Sequence, residues 1–199
     1  MNLLICGGVP RGATTFLHTE LSNYDNVSNS LIKESYLFER SNSLINLKLR
    51  TLPKNKIHLD FTPEYIFNKR ALNKIAKRDI PCFFIIRPYA DFVSSISKYL
   101  TINSIENIAL KNISKVDYQK AVRFVGEHFL VFDFKEVVDS PLTVIGKIQS
   151  EFSLDFGSRS GMKEFRNDSA ERHYRWQSFL ASQFQAPSKV ARSALFGLI

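Results

Sequence analysis

The sequence is poor in cysteine, in long apolar runs and in chain breakers. Cys6 and Cys82 are its 2 cysteines among 199 residues. That is too few for a disulfide framework or a zinc cluster, and both lie inside apolar runs, where a reduced thiol packs as a small hydrophobe. No apolar run approaches the roughly 20 residues that cross a membrane. The opening Met-Asn-Leu-Leu-Ile-Cys-Gly has no basic segment and is too short for a signal core, so a cytoplasmic location is expected. Glycine (8) and proline (7) never gather into a linker, and no repeat or low-complexity tract interrupts the chain. A single domain over residues 1–199 is therefore expected, with 157–199 forming a C-terminal loop and helix. Acidic residues are in deficit, 19 against 27 basic ones, for a net charge of +8. Such a surplus favours an anionic partner: a nucleotide, an acidic glycan, a nucleic acid or a membrane surface.

What is present is an alternation of short apolar runs with helical patterns. Leu3-Leu4-Ile5-Cys6, Lys56 to Asp60, Cys82 to Ile86 and Phe129 to Phe132 read as strands. A helix is expected from Thr14, another from Thr62-Pro63-Glu64 toward Lys77, and a third after Ser140-Pro141 with Leu142, Ile145, Ile148 and Phe152 on one face. Strands separated by helices of this length imply a three-layer α/β domain around a parallel sheet. Residues 157–161 read as a mobile loop, and a further helix is expected around Trp176.

The first strand runs into Gly7-Gly8-Val9-Pro10-Arg11-Gly12-Ala13-Thr14-Thr15. A glycine loop that opens a helix presents successive N–H groups, reinforced by the helix dipole, to an anion. The frame is close to a nucleotide-binding loop, but Ala13 stands where the phosphate-binding lysine belongs, and the nearest cation is Arg11. The third strand ends at Arg87, with Ser95 eight residues on in the next helix. An arginine at the carboxyl end of a parallel strand lies where α/β domains bind ligands, and its guanidinium suits a phosphate.

Gly8-Val9-Pro10-Arg11-Gly12-Ala13-Thr14-Thr15 resembles the 5′-phosphosulfate loop of sulfotransferases that use 3′-phosphoadenosine-5′-phosphosulfate (PAPS), apart from Ala13 for the second glycine. That alanine is expected to require a negative φ. Arg87 with Ser95 is similar to the 3′-phosphate motif of the same family, including the acid at Asp91. Leu130 to Pro141 and Asp60 to Tyr65 resemble further segments of bacterial members, so the resemblance spans about residues 3–155.

The resemblance implies a nucleotide-triphosphatase-like sulfotransferase fold, PAPS as donor and the bisphosphate PAP as product, with no metal. Pro10, Arg11, Gly12, Ala13, Thr14 and Thr15 would hold the 5′ side, and Arg87 and Ser95 the 3′-phosphate. Lys163 and Arg166 would close over the donor. Lys33-Glu34 matches the lysine–glutamate pair of glycan sulfotransferases, whose glutamate takes the acceptor proton; His58 is the rival base. The acceptor is expected to be a glycan or a small hydroxylated molecule, with peripheral contact to a lipid-linked substrate. Tyr36, Phe38, Tyr65 and Phe67 either line an acceptor groove or belong to the core.

Two other classes remain open from the residues alone. A nucleotide or small-molecule kinase would use Asp60 and Asp133 on magnesium but lacks its lysine. A polyanion binder rests on the net charge, yet the basic residues are scattered and no nucleic-acid motif is present. His18, His128 and His173 have no metal-ligand spacing.

Overall fold

A computed structural model describes residues 2–28, 31, 33–102 and 113–160. Five strands form one parallel sheet in the order β2-β3-β1-β4-β5. They are β1 (Leu3–Gly8), β2 (Val27–Ser28), β3 (Ile57–Phe61), β4 (Cys82–Ile86) and β5 (Leu130–Asp133). Every pairing is parallel; β1 lies between β3 (Ile5 opposite Asp60) and β4 (Ile5 opposite Cys82).

The unbroken apolar runs follow from burial on both faces. Leu3, Ile5, Cys82 and Phe84 face one side, where they pack with α2 (Asn42–Thr51), α3 (Lys69–Ala76), α4 (Tyr89–Ile102) and α5 (Lys115–His128) through Ile45, Leu72, Ile75, Phe92 and Val125. Leu4, Cys6, Phe83 and Ile85 face the other, against α1 (Thr14–Leu21), α6 (Phe134–Asp139) and α7 (Pro141–Phe152) through Leu17, Leu21, Val137, Ile145 and Ile148. The three-layer α/β expectation is met. Cys6 and Cys82 are both free and buried, and burial pushes both thiols well above their ordinary range.

Several local expectations change. The helix foreseen from Thr62 to Lys77 is broken into a 3-10 turn, Pro63–Phe67, and α3. The Thr62 hydroxyl does not cap it, because that hydroxyl donates to Asp60 Oδ1 at 2.8 Å. Asn68 caps the second piece instead, its side chain accepting from Ala71 N at 3.0 Å. Leu142 is 54% exposed. The buried stripe of α7 is Val144, Ile145 and Ile148, and Leu142 lies about 100° around the helix from its centre.

Residues 157–160 are pinned rather than loose. Ser160 N donates to Asn23 O at 2.8 Å, Asp25 N donates to Ser158 O at 3.0 Å, and Arg159 pairs with Glu20 at 2.5 Å. The helix foreseen around Trp176 lies outside the described residues.

Candidate functional site

In a parallel sheet the carboxyl ends of the strands share one edge, and the loops that leave it surround one cleft. Here that edge carries the loop after β1, residues 33–38, the turn after β3 and Arg87 after β4.

The first loop is shaped by what its glycines avoid. A Cβ on Gly7 would stand 2.2 Å from the Phe84 ring, and one on Gly8, at φ +147°, would stand 2.3 Å from Ile85 O. Only glycine lets β1 run this close to β4 as it turns. Val9 N then donates to Ile85 O at 3.0 Å, and Gly12 N to Val9 O at 2.9 Å. Arg11 (φ 64°) and Ala13 (φ 63°) are left-handed. The alanine thus adopts the conformation it was expected to refuse, immediately before the right-handed Thr14 that starts α1. A left-handed residue followed by a right-handed one turns successive N–H groups toward a common point, the concave arrangement that receives anions. Pro10, Gly12 and Thr14 are buried, Ala13 and Thr15 half-buried, and Arg11 exposed.

Arg87 is drawn to this loop. Its Nη1 donates to Arg11 O at 2.9 Å, and its guanidinium lies 4.2 Å from the centre of the Phe134 ring. Tyr118 Oη donates to the Arg87 carbonyl. The structure therefore brings together the two segments that the sequence singled out separately. Ser95 is half-buried within α4. Lys163 and Arg166 lie outside the described residues.

The second loop is fastened to β3. Glu34 N donates to Phe61 O at 2.9 Å, and Lys33 Nζ meets Glu34 Oε1 at 2.5 Å. Phe61 stands opposite Cys6 on β1, which locates the pair near the first loop. Glu34 (φ 62°) and Tyr36 (φ 50°) are again left-handed. Non-glycine residues held this way cost about 1–3 kcal/mol each and collect at functional sites.

Asp60 holds that loop in place. Buried at the end of β3, it accepts Ser35 Oγ (2.9 Å) and Thr62 Oγ1 (2.8 Å) on Oδ1, and Tyr65 Oη (2.8 Å) on Oδ2. Tyr65 Oη in turn accepts Phe38 N at 3.1 Å. Burial raises the Asp60 carboxyl's affinity for a proton, and the three hydroxyls oppose the rise.

Sequence reasoning missed two members of this edge. Both lie in the Asp60 to Tyr65 segment that resembles bacterial members, but the sequence gives Asp60 a role of its own only as a magnesium ligand of the kinase alternative, and Glu64 only as an acid opening a helix. The usable signal was Asp60, Thr62 and Glu64 at alternate positions after an apolar strand, next to a run that also carries Ser35 and Tyr36. Phe38 and Tyr65 are fully buried core residues, T-shaped with ring centres 6.0 Å apart, and do not line a groove. Tyr36 and Phe67 are half-buried.

His58 lies apart. It occupies the start of β3, fully buried, with Nε2 2.7 Å from Pro53 O. It faces the amino end of the sheet, where it pairs with Leu3 and Ser28. Asp133 caps α6, accepting from Lys135 N at 2.8 Å.

The same arrangement of strands and helices occurs in known proteins. A sulfotransferase from Alicyclobacillus acidocaldarius superposes with a TM-score of 0.59 over 91% of this chain and 91% of its own, at 14% identity. The fold is the sulfotransferase fold. The sulfotransferase domain of the Synechococcus PCC 7002 olefin synthase superposes with a TM-score of 0.54 at 15% identity, covering 78% of this chain and 74% of that one. No family model matches the sequence, and no curated protein resembles it in sequence. Likeness at such low identity speaks for the sulfotransferase fold, and the reaction has to be argued from the side chains.

Proposed function

We propose that this chain transfers a sulfuryl group from PAPS to an acceptor hydroxyl, on a carbohydrate or glycolipid. The observation that carries the reading is the junction of the two signature segments: the Arg87 guanidinium bonded to the carbonyl of Arg11, on the loop whose N–H groups converge before α1. PAPS carries anionic groups on both sides of its ribose, and this edge offers one basic, donor-rich segment for each.

The residues fit such a donor. The glycines at 7, 8 and 12 let the loop pack tightly on β4 and on Val9, which fixes the backbone that would meet a phosphate. Backbone N–H groups of residues 13–15 would hold the 5′-phosphate at the start of α1, that of Gly12 being given to Val9 O. Arg87 and Ser95 would hold the 3′-phosphate, and Arg11 would balance charge on the transferring side. The bound donor supplies an activated sulfuryl group, which passes in line to an oxygen much as a phosphoryl group does but with less charge to neutralise. Fixed cations and N–H donors aimed at developing charge are the chain's main contribution.

Glu34 is the better candidate base. It stands on the loop at the carboxyl edge, is only part-buried, and has Lys33 beside it. His58 is sequestered at the other end of β3. A positioned carboxylate taking the acceptor proton contributes about 10²–10⁴-fold.

Thermal shift with PAP, and separately with ATP and magnesium, tests the assignment. PAP should raise the melting temperature and ATP–magnesium should not; the reverse order would replace a sulfotransferase with a kinase.

A further inference from the structure

Three contacts hold Arg87 at the carboxyl edge of the sheet. The parallel register puts Ile86 of β4 opposite Asp133 of β5, so Arg87 and Phe134 leave the sheet side by side. Tyr118 of α5 holds the Arg87 carbonyl, and Arg11 O accepts from Nη1 at 2.9 Å. The guanidinium carbon sits over the Phe134 ring, 4.2 Å from its centre. No carboxylate neutralises this charge: among the described residues Arg87 takes part in no ion pair. Asp133, the acid at the same level, accepts from Lys135 N at 2.8 Å as the cap of α6. Arg87 Nε is buried and has no hydrogen-bond partner among the described residues. A guanidinium carries five N–H donors and no acceptor, so a buried donor of this kind calls for an oxygen from elsewhere.

We propose that Phe134 is a positioning residue for Arg87, holding the guanidinium beside the first loop and leaving its charge intact for the 3′-phosphate of the donor. An aromatic face attracts a cation through its quadrupole and takes none of its N–H groups. A carboxylate in the same place would engage two N–H groups and cancel the charge, leaving less for an arriving phosphate. The ring thus fixes the direction of the guanidinium without competing with the ligand. It also shields one side of the cation from water, where its attraction for an anion is less screened. Phe134 acts through Arg87, not on the donor itself. The proposal rests on the PAPS reading, since it needs a phosphate on the 3′ side of the ribose.

Calorimetric titration with PAP and with adenosine 5′-phosphosulfate, which has no 3′-phosphate, tests it. Phe134→Leu keeps an apolar side chain and removes the ring; Phe134→Met repeats the test if the leucine variant does not fold. The substitution should weaken PAP about three- to tenfold, the worth of a partly desolvated cation–π contact, and leave adenosine 5′-phosphosulfate within about twofold. Phe134→Tyr keeps the ring and should match the parent. In an Arg87→Ala background, Phe134→Leu should change PAP affinity by less than about twofold, because the residue it acts through is gone. Equal losses for both nucleotides, unchanged PAP affinity, a loss in Phe134→Tyr as large as in Phe134→Leu, or an undiminished effect without Arg87 would each overturn the role of Phe134. A parent protein with no preference for PAP over adenosine 5′-phosphosulfate would overturn the donor reading, and this inference with it.

Discussion

Replacing Asp60 by asparagine tests whether one buried carboxylate holds the second loop. The carboxylate accepts three hydroxyls at 2.8–2.9 Å, two of them on Oδ1. Asparagine keeps the Oδ1 acceptor for Ser35 and Thr62 but sets an N–H group against Tyr65 Oη, which already accepts from Phe38 N. One hydrogen bond to a charged group is thus lost, worth about 1.5–3 kcal/mol. Relief of the buried charge returns about 1 kcal/mol. The net destabilisation is about 0.5–2 kcal/mol. For a domain of this size that lowers Tm by about 1–8 °C. Asp60→Ala, which strands all three hydroxyls, should cost about 3–5 kcal/mol. Calorimetry or dye-monitored melting at neutral pH reads both. Because Ser35 stands next to Glu34, transfer should also fall more than PAP affinity in Asp60→Asn. A Tm within about 1 °C of the parent, with turnover intact, would refute the claim that Asp60 organises this loop.

The other predictions concern the same edge. Glu34→Gln should depress turnover by about 10²-fold or more and leave PAP binding nearly intact, whereas His58→Ala should act on stability; the reverse pattern would make His58 the base. Arg11→Ala should abolish transfer in a folded protein, and near-normal turnover would remove the charge role of that residue. Ala13→Gly exchanges a left-handed alanine, strained by about 1–2 kcal/mol, for about 0.5–1 kcal/mol of extra chain entropy. It should raise stability by about 0.5–1 kcal/mol, and a lower Tm would contradict the strain. Glu64 binds its proton more tightly folded (about 7) than unfolded (4.5), so the folded state holds more protons in that window and stability falls as pH climbs through it. Glu64→Gln should therefore gain about 1–3 kcal/mol over the parent at pH 8 and little at pH 4, as denaturation at the two pH values would reveal.

Much of this was legible in the sequence because burial on both faces of a parallel sheet forces continuous apolar runs, and Cys82–Ile86 has the limits foreseen. Glycine spacing located the first loop, because a Cβ at Gly7 or Gly8 would collide with β4. Polar residues that act on one another were harder to read. Thr62 looks like a helix cap until Asp60 claims its hydroxyl, and Glu64 looks like an N-terminal acid although its Oε2 is buried in the fold. The Arg87–Arg11 bond joins positions 76 residues apart and required the fold. Left-handed Ala13 was missed because a residue's preference was read without the neighbours that override it.

Affinity for PAP relative to adenosine 5′-phosphosulfate, which lacks the 3′-phosphate, addresses the central claim most directly when measured in the parent and in Arg87→Ala. Two anion sites on one edge predict a strong preference for PAP in the parent, reduced at least tenfold by the substitution, which corresponds to about 1.4 kcal/mol. Equal affinities in the parent, or a preference that survives loss of the guanidinium, would contradict it.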